Sequence, residues 1–96
     1  MPTHDELQRF LADYARLTDP QRAAFRAAVR RFVAGLRAGR FDPPLRIKRV
    51  QGHPSVCEMT WATDGRATFQ YGAEVDPGEP HIVWRRVGTH DIFREP

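Results

Sequence analysis

The stretch Val56-Cys57-Glu58-Met59-Thr60-Trp61-Ala62-Thr63-Asp64-Gly65-Arg66-Ala67-Thr68-Phe69-Gln70-Tyr71 alternates between apolar and polar residues on both sides of an Asp-Gly pair. A period of two marks a strand, and Asp-Gly between two such runs is a strong hairpin signal. The first strand then carries Cys57, Met59 and Trp61 on one face and Glu58 and Thr60 on the other. The return strand adds Ala67, Phe69 and Tyr71 to the apolar face, with Arg66, Thr68 and Gln70 opposite. Before the hairpin, Leu45–Val50 reads as a short strand, joined through Gly52-His53-Pro54. After it, the polar stretch Gly72 to Pro80 leads into a last strand, His81–Val87, and a tail, Gly88-Thr89-His90-Asp91-Ile92-Phe93.

Upstream of the strands the apolar period changes. Leu7, Phe10, Leu11, Tyr14 and Leu17 recur at helical spacing and predict a helix over residues 4–17. Thr18-Asp19-Pro20-Gln21 has the spacing of a capping box with proline in the first turn, so a second helix starts there. That helix places Phe25, Val29, Phe32, Val33 and Leu36 on one stripe, and it ends near Gly39, before the break Phe41-Asp42-Pro43-Pro44. The expected architecture is α+β: two N-terminal helices packed on a small, mainly antiparallel four-stranded sheet, with residues 1–96 forming a single domain.

Composition narrows the function. The chain has 96 residues, 41% apolar and 28% charged, which suits one globular domain and excludes a fibrous or disordered chain. No apolar run approaches the ~18–20 residues needed to span a bilayer, and no signal-peptide pattern opens the sequence. Cys57 is the single cysteine, so no internal disulfide is expected, and the expected compartment is the cytoplasm. Charge is segregated: residues 21–49 hold eight arginines and Lys48 against the lone acid Asp42, while the remainder holds six arginines against eleven acids. Such a basic half points to a polyanionic partner or to a solvated arginine-rich helix face.

The chemistry that can be read is sparse. His53 and Cys57 lack further ligands at metal spacing, and no glycine-rich loop precedes a helix, so neither a metal nor another cofactor is expected. Cys57 shares its face with Met59 and Trp61 and reads as a core residue. The polar face of the hairpin gathers Glu58, Thr60, Arg66 and Thr68, and the tail brings His90. Glu58 and Arg66 could form no more than a cross-strand ion pair. Glu58, Arg66 and His90 together could also cleave an RNA phosphodiester: one group takes the 2′-OH proton, an arginine stabilises the phosphorane, and a histidine protonates the leaving 5′-oxygen.

The segment from Leu45 to Trp61, the hairpin Asp64-Gly65-Arg66-Ala67-Thr68-Phe69 and the segment from His81 to Phe93 resemble the RelE/YoeB/HigB superfamily of bacterial toxins, most of all its arginine-rich actinobacterial members. The resemblance covers about residues 21–93. It implies the toxin of a type II toxin–antitoxin system: a ribosome-dependent mRNA endoribonuclease that inhibits translation and is held inactive by a cognate antitoxin, acidic and DNA-binding. Its partners would be that antitoxin, the ribosome and mRNA, with no membrane involved. By the resemblance Arg66 contacts the scissile phosphate, His90 is the late acid–base histidine, and Glu58 is a candidate to activate the 2′-OH. Lys48, Arg49, Thr60, Arg86, Phe93, Arg26 and Arg30 are the expected RNA contacts. Three departures stand out: the N-terminus reads helical where many members begin with a strand, Phe93 replaces a C-terminal tyrosine, and Glu58 and Thr60 stand where RelE has lysines. The base is therefore Glu58, His90 or neither. Alternatives are a ParE-like gyrase-poisoning toxin of the same fold and a non-catalytic RNA- or DNA-binding module.

Overall fold

The computed structural model describes residues 2–96. Among these residues the elements run β1 (Thr3–Glu6), α1 (Gln8–Arg16), α2 (Asp19–Ala38), a 3-10 turn (Pro43–Leu45), β2 (Lys48–Val50), β3 (His53–Ala62), β4 (Gly65–Gly72), β5 (His81–Gly88) and a C-terminal 3-10 segment (His90–Arg94). The sheet order is β1-β5-β4-β3-β2, with β1 parallel to β5 and every other pair antiparallel. This is the expected α+β architecture with one correction: the sheet has five strands rather than four.

The extra strand replaces the first turn expected of the helix over residues 4–17. His4, Asp5 and Glu6 offer no apolar stripe, so helical periodicity begins only at Leu7, and α1 starts at Gln8 without a side-chain cap. The extended residues gain a ladder on β5, from Thr3 opposite His81 to Glu6 opposite Trp84, which covers an edge that would otherwise stand open. The Leu7 N–H continues it by donating to the Trp84 carbonyl at 2.9 Å. His81, almost fully buried, clamps the pair: its Nδ1 lies 2.7 Å from Thr3 Oγ1 and its Nε2 3.0 Å from Asp5 Oδ2. The partners are nearly a whole chain length apart, so no local signal announces them.

The second helix follows its sequence closely. Thr18 accepts from the Gln21 N–H, Gln21 Oε1 accepts from the Thr18 N–H, and Gly39 closes the helix in the left-handed conformation at φ 80°, which costs glycine no strain. Its apolar stripe lies on the sheet face that carries Met59, Ala67, Phe69 and Trp84, all buried. Phe32 sits at the centre, with ring centroids 4.8 Å from Phe69 and 5.4 Å from Trp84. Phe25 packs edge-on against Trp84 at 5.6 Å. Aromatic pairs at these separations add to what area burial alone contributes. Tyr71, expected on the same apolar face, lies at its margin and is 52% exposed.

Where β1 stops, β5 runs on, and α1 supplies what the missing strand does not. Asp13, buried on α1, accepts the Val87 N–H at 3.2 Å and takes Arg86 through Nε at 2.6 Å and Nη2 at 3.2 Å. Arg86 Nη1 donates to the Glu95 carbonyl at 2.9 Å. A carboxylate thus stands in for a strand partner and ties helix, sheet and C-terminus together.

Removing Asp13 leaves the Arg86 guanidinium largely desolvated without its carboxylate and orphans the Val87 N–H. Asp13→Ala is expected to cost ~3 kcal/mol, measured by denaturant unfolding. Asp13→Leu combined with Arg86→Met should cost distinctly less, because no unpaired charge then remains.

Candidate active site

The site grows from the β3–β4 turn. Ala62 pairs with Gly65, leaving Thr63 and Asp64 as the loop. Gly65 is required there by space: a Cβ at this position would lie 2.5 Å from the Trp61 ring. Trp61 rests on the turn from the helix side and donates Nε1–H to the Arg66 carbonyl at 2.9 Å. Arg66 folds back on the same turn, its Nη1 facing the carbonyls of Gly65 at 2.9 Å and of Ala62 and Thr63 at 3.3 Å each. Nε and Nη2 have no protein partner among the described residues. The guanidinium is anchored by one nitrogen and presents the other two.

The second half arrives from the C-terminus. Register places Gly88 opposite Arg66, with a shift between Thr68 and Phe69 that leaves Arg85 as the extra residue. Thr89 caps the 3-10 segment by accepting the Asp91 N–H at 3.3 Å. His90 is then set beside the hairpin turn, its Nδ1 2.8 Å from Asp64 Oδ1. Asp91 Oδ1 is farther, 3.8 Å from Nε2.

The charges act on one another. The hydrogen bond to Asp64 holds the His90 pKa above its ordinary 6.5, with the fields of Asp64 and Asp91 adding and Arg66 opposing. The same bond holds the Asp64 carboxyl below its ordinary range, helped by Arg66. The imidazolium and carboxylate attract between these limits. The His90 contribution fades as pH rises through its raised pKa, and that of Asp64 fades as pH falls through its lowered one.

The expected residues divide accordingly. Arg66 and His90 meet at the turn. Glu58 lies two pairs farther along the ladder, opposite Thr68 and Lys48, with its carboxylate 3.9 Å from Lys48 Nζ. Among the described residues no hydrogen bond or ion pair joins Glu58 to Arg66 or His90. Thr60 is half-buried directly opposite Arg66. Thr68, expected on the accessible polar face, is fully buried. Phe93 is half-buried in the C-terminal segment. Lys48 shares the Glu58 face, whereas Arg49, opposite Cys57, belongs to the other side. Arg86 is turned to Asp13 rather than outward, because β5 outruns β1 there.

Arg26 and Arg30 lie on the helical side of the sheet, away from the hairpin's polar face. They line a groove of about 540 Å³ that also includes Leu11, Tyr14, Val29 and Val33. The basic segment 21–49 is therefore not one surface. Among the described residues no cluster of His, Cys, Asp and Glu suits a metal ion. Asp64 was legible only as a turn former. Its place beside His90 depends on the β4–β5 register.

A five-stranded sheet with an N-terminal parallel edge strand and two helices on one face is a RelE-like fold. Solved structures share it. A chain of the Escherichia coli DinJ–YafQ toxin–antitoxin complex aligns with a TM-score of 0.70 at 9% identity, covering 94% of this chain and 93% of that one. The YoeB/ParE toxin from Agrobacterium tumefaciens gives 0.67 at 10% identity, covering 92% and 98%. A chain of the RelB–RelE antitoxin–toxin complex from Methanococcus jannaschii gives 0.62 at 13%, covering 95% of each. No protein-family model and no curated protein sequence matches the chain. At these identities the likeness is one of fold.

Gly65→Ala tests the turn. The added methyl must displace the Trp61 ring, so the variant should lose about 1–3 kcal/mol of stability and show altered indole fluorescence. A variant with native stability would mean that Trp61 does not pack as described.

Proposed function

We propose that this chain is the toxin of a type II toxin–antitoxin pair, a cytoplasmic endoribonuclease that cuts mRNA on the ribosome and so inhibits translation. The observation that carries the reading is the meeting of Arg66 and His90 at the hairpin turn of a RelE-like fold. The E. coli and M. jannaschii structures that share the fold are of toxin–antitoxin complexes, which supports a cognate antitoxin as partner. An acidic antitoxin would complement the arginine-rich surface. No helix among the described residues is long and apolar enough to cross a membrane.

Cleavage needs no cofactor. The RNA 2′-oxygen attacks the adjacent phosphorus, a base takes the 2′-OH proton, and the bond to the 5′-oxygen breaks as that oxygen is protonated. The products are a 2′,3′-cyclic phosphate and a 5′-hydroxyl. Arg66 stabilises the charge that develops on the phosphoryl oxygens through Nε and Nη2, already oriented because Nη1 is held by the turn. His90 keeps its proton above the pH at which an ordinary histidine loses it, which suits the acid that protonates the leaving oxygen. Glu58 is the nearest carboxylate on the same sheet face. With Lys48 beside it, it can accept the 2′-OH proton only if RNA draws it from that pairing.

Arg66→Ala should reduce ribosome-dependent cleavage ~10²–10³-fold with less than about 1 kcal/mol lost from stability. Arg66→Lys should recover activity only in part, since a point charge cannot make the two-pronged contact. His90→Ala should slow cleavage and remove the limb on which the rate falls as pH rises through the raised histidine pKa. Mapping of mRNA 5′ ends after induction is the readout. If both alanine variants match the parent in toxicity at equal expression, the nuclease reading is wrong and a gyrase-directed, ParE-like toxin replaces it.

Binding to the ribosome should depend on Lys48, Arg49 and the helix arginines through phosphates. Affinity should fall steeply between about 50 and 200 mM salt, as counterion release demands. Salt-independent binding would remove phosphate contact as its basis.

A further inference from the structure

The geometry points to Asp64 as the positioning residue of the site: its carboxylate accepts the Nδ1–H of His90 and so presents Nε2 as the nitrogen that exchanges a proton with the RNA. This inference rests on the nuclease reading and adds a residue to it.

Three observations carry it. The first is the contact itself, 2.8 Å between Asp64 Oδ1 and His90 Nδ1. A carboxylate can only accept, so Nδ1 carries the proton and the lone pair, or the transferable proton, is on Nε2. Asp91, at 3.8 Å from Nε2, is too far to hydrogen-bond that nitrogen.

The second is the rigidity of both anchors. Asp64 sits in a turn fixed by Trp61 over Gly65 and by Arg66 Nη1 on three carbonyls. His90 follows the Gly88–Arg66 pairing directly and opens a segment capped by Thr89. The third is exposure: the side chains of His90 and Asp64 are 69% and 61% exposed. A pair so open to water contributes little to folding. Its value lies in aiming the imidazole, and it strengthens when bound RNA excludes water.

Asp64→Asn isolates this role. Asn-Gly is as good a hairpin turn as Asp-Gly, so the fold is retained, and removing a negative charge does not weaken RNA binding. Nitrogen-15 NMR of the His90 ring, assigned by comparison with His90→Gln, reads the tautomer and the titration of the free chain. Single-turnover cleavage on ribosomes reads the chemistry. The native ring should carry its neutral-form proton on Nδ1. Asp64→Asn should shift the proton toward Nε2 and move the midpoint to lower pH. It should also lower the maximal cleavage rate about tenfold, a part of the ~10²–10⁴ that general acid–base catalysis supplies, with KM for RNA unchanged or lower and the histidine limb moved to lower pH. Asp64→Glu should restore part of the loss.

An unmoved tautomer and midpoint, or a pH–rate profile that superimposes on the native one while the native chain cleaves, overturns the assignment of Asp64 alone. A native chain that cleaves nothing overturns the nuclease reading and with it the catalytic use of the pair.

Discussion

Strand β5 holds the structure together, because four separate requirements converge on its eight residues, His81–Gly88. On one side it takes the N-terminal strand in parallel, and on the other it pairs antiparallel with β4. Trp84 reaches from it into the helices and meets Phe10, Phe25, Phe32 and Phe69. Its last residue, opposite Arg66, sets the start of the segment that bears His90. A shift in β5 register by one residue would turn Trp84 out of the core and carry His90 away from the turn. Stability and the site therefore answer to the same ladder.

The charges are used in three distinct ways. Asp13 and Arg86 are largely withdrawn from water and mutually satisfied, so they act as an internal tie whose strength lies in the cost of breaking it. Arg22 with Asp19 and Arg31 with Asp42 are local pairs that trim the basic segment, each contributing little in water. Asp64, His90 and Arg66 stay open and near one another, where mutual fields shift proton affinity and, so exposed to water, add little to fold stability. Counting charge along the chain merges these classes. The nine basic residues between 21 and 49 include paired groups, groove-lining groups such as Arg26 and Arg30, and strand residues on opposite faces such as Lys48 and Arg49.

Under the proposed nuclease reading, preorganisation is the physical reason for a site at a tight turn. An arginine held at one nitrogen loses less freedom on binding phosphate than one waving in solvent, and a histidine held at Nδ1 needs no reorientation before it transfers a proton at Nε2. The turn supplies this without burying the groups, which leaves room for a large substrate. Glu58, two residues along β3 from Thr60, lies beside Lys48 rather than at the turn with Arg66 and His90.

Much of the fold was legible because it is governed by neighbours in sequence. The Thr18–Gln21 capping box, the stop at Gly39, the Asp64-Gly65 hairpin and the alternation through Met59, Ala67 and Phe69 all rest on local dihedrals and periodicity, and residue order alone determined them. Arg66 and His90 were singled out by their chemistry and by resemblance to a family. What local order could not determine was decided by pairing between distant segments: β1 on β5, Asp13 filling the edge beyond β1, Arg86 drawn inward, the basic stretch divided between two faces, and Asp64 brought to His90. These contacts join residues 26 to 78 positions apart. Their formation depends on which edges the whole sheet leaves open and which charges it leaves unpaired, and those quantities exist only once the chain has packed.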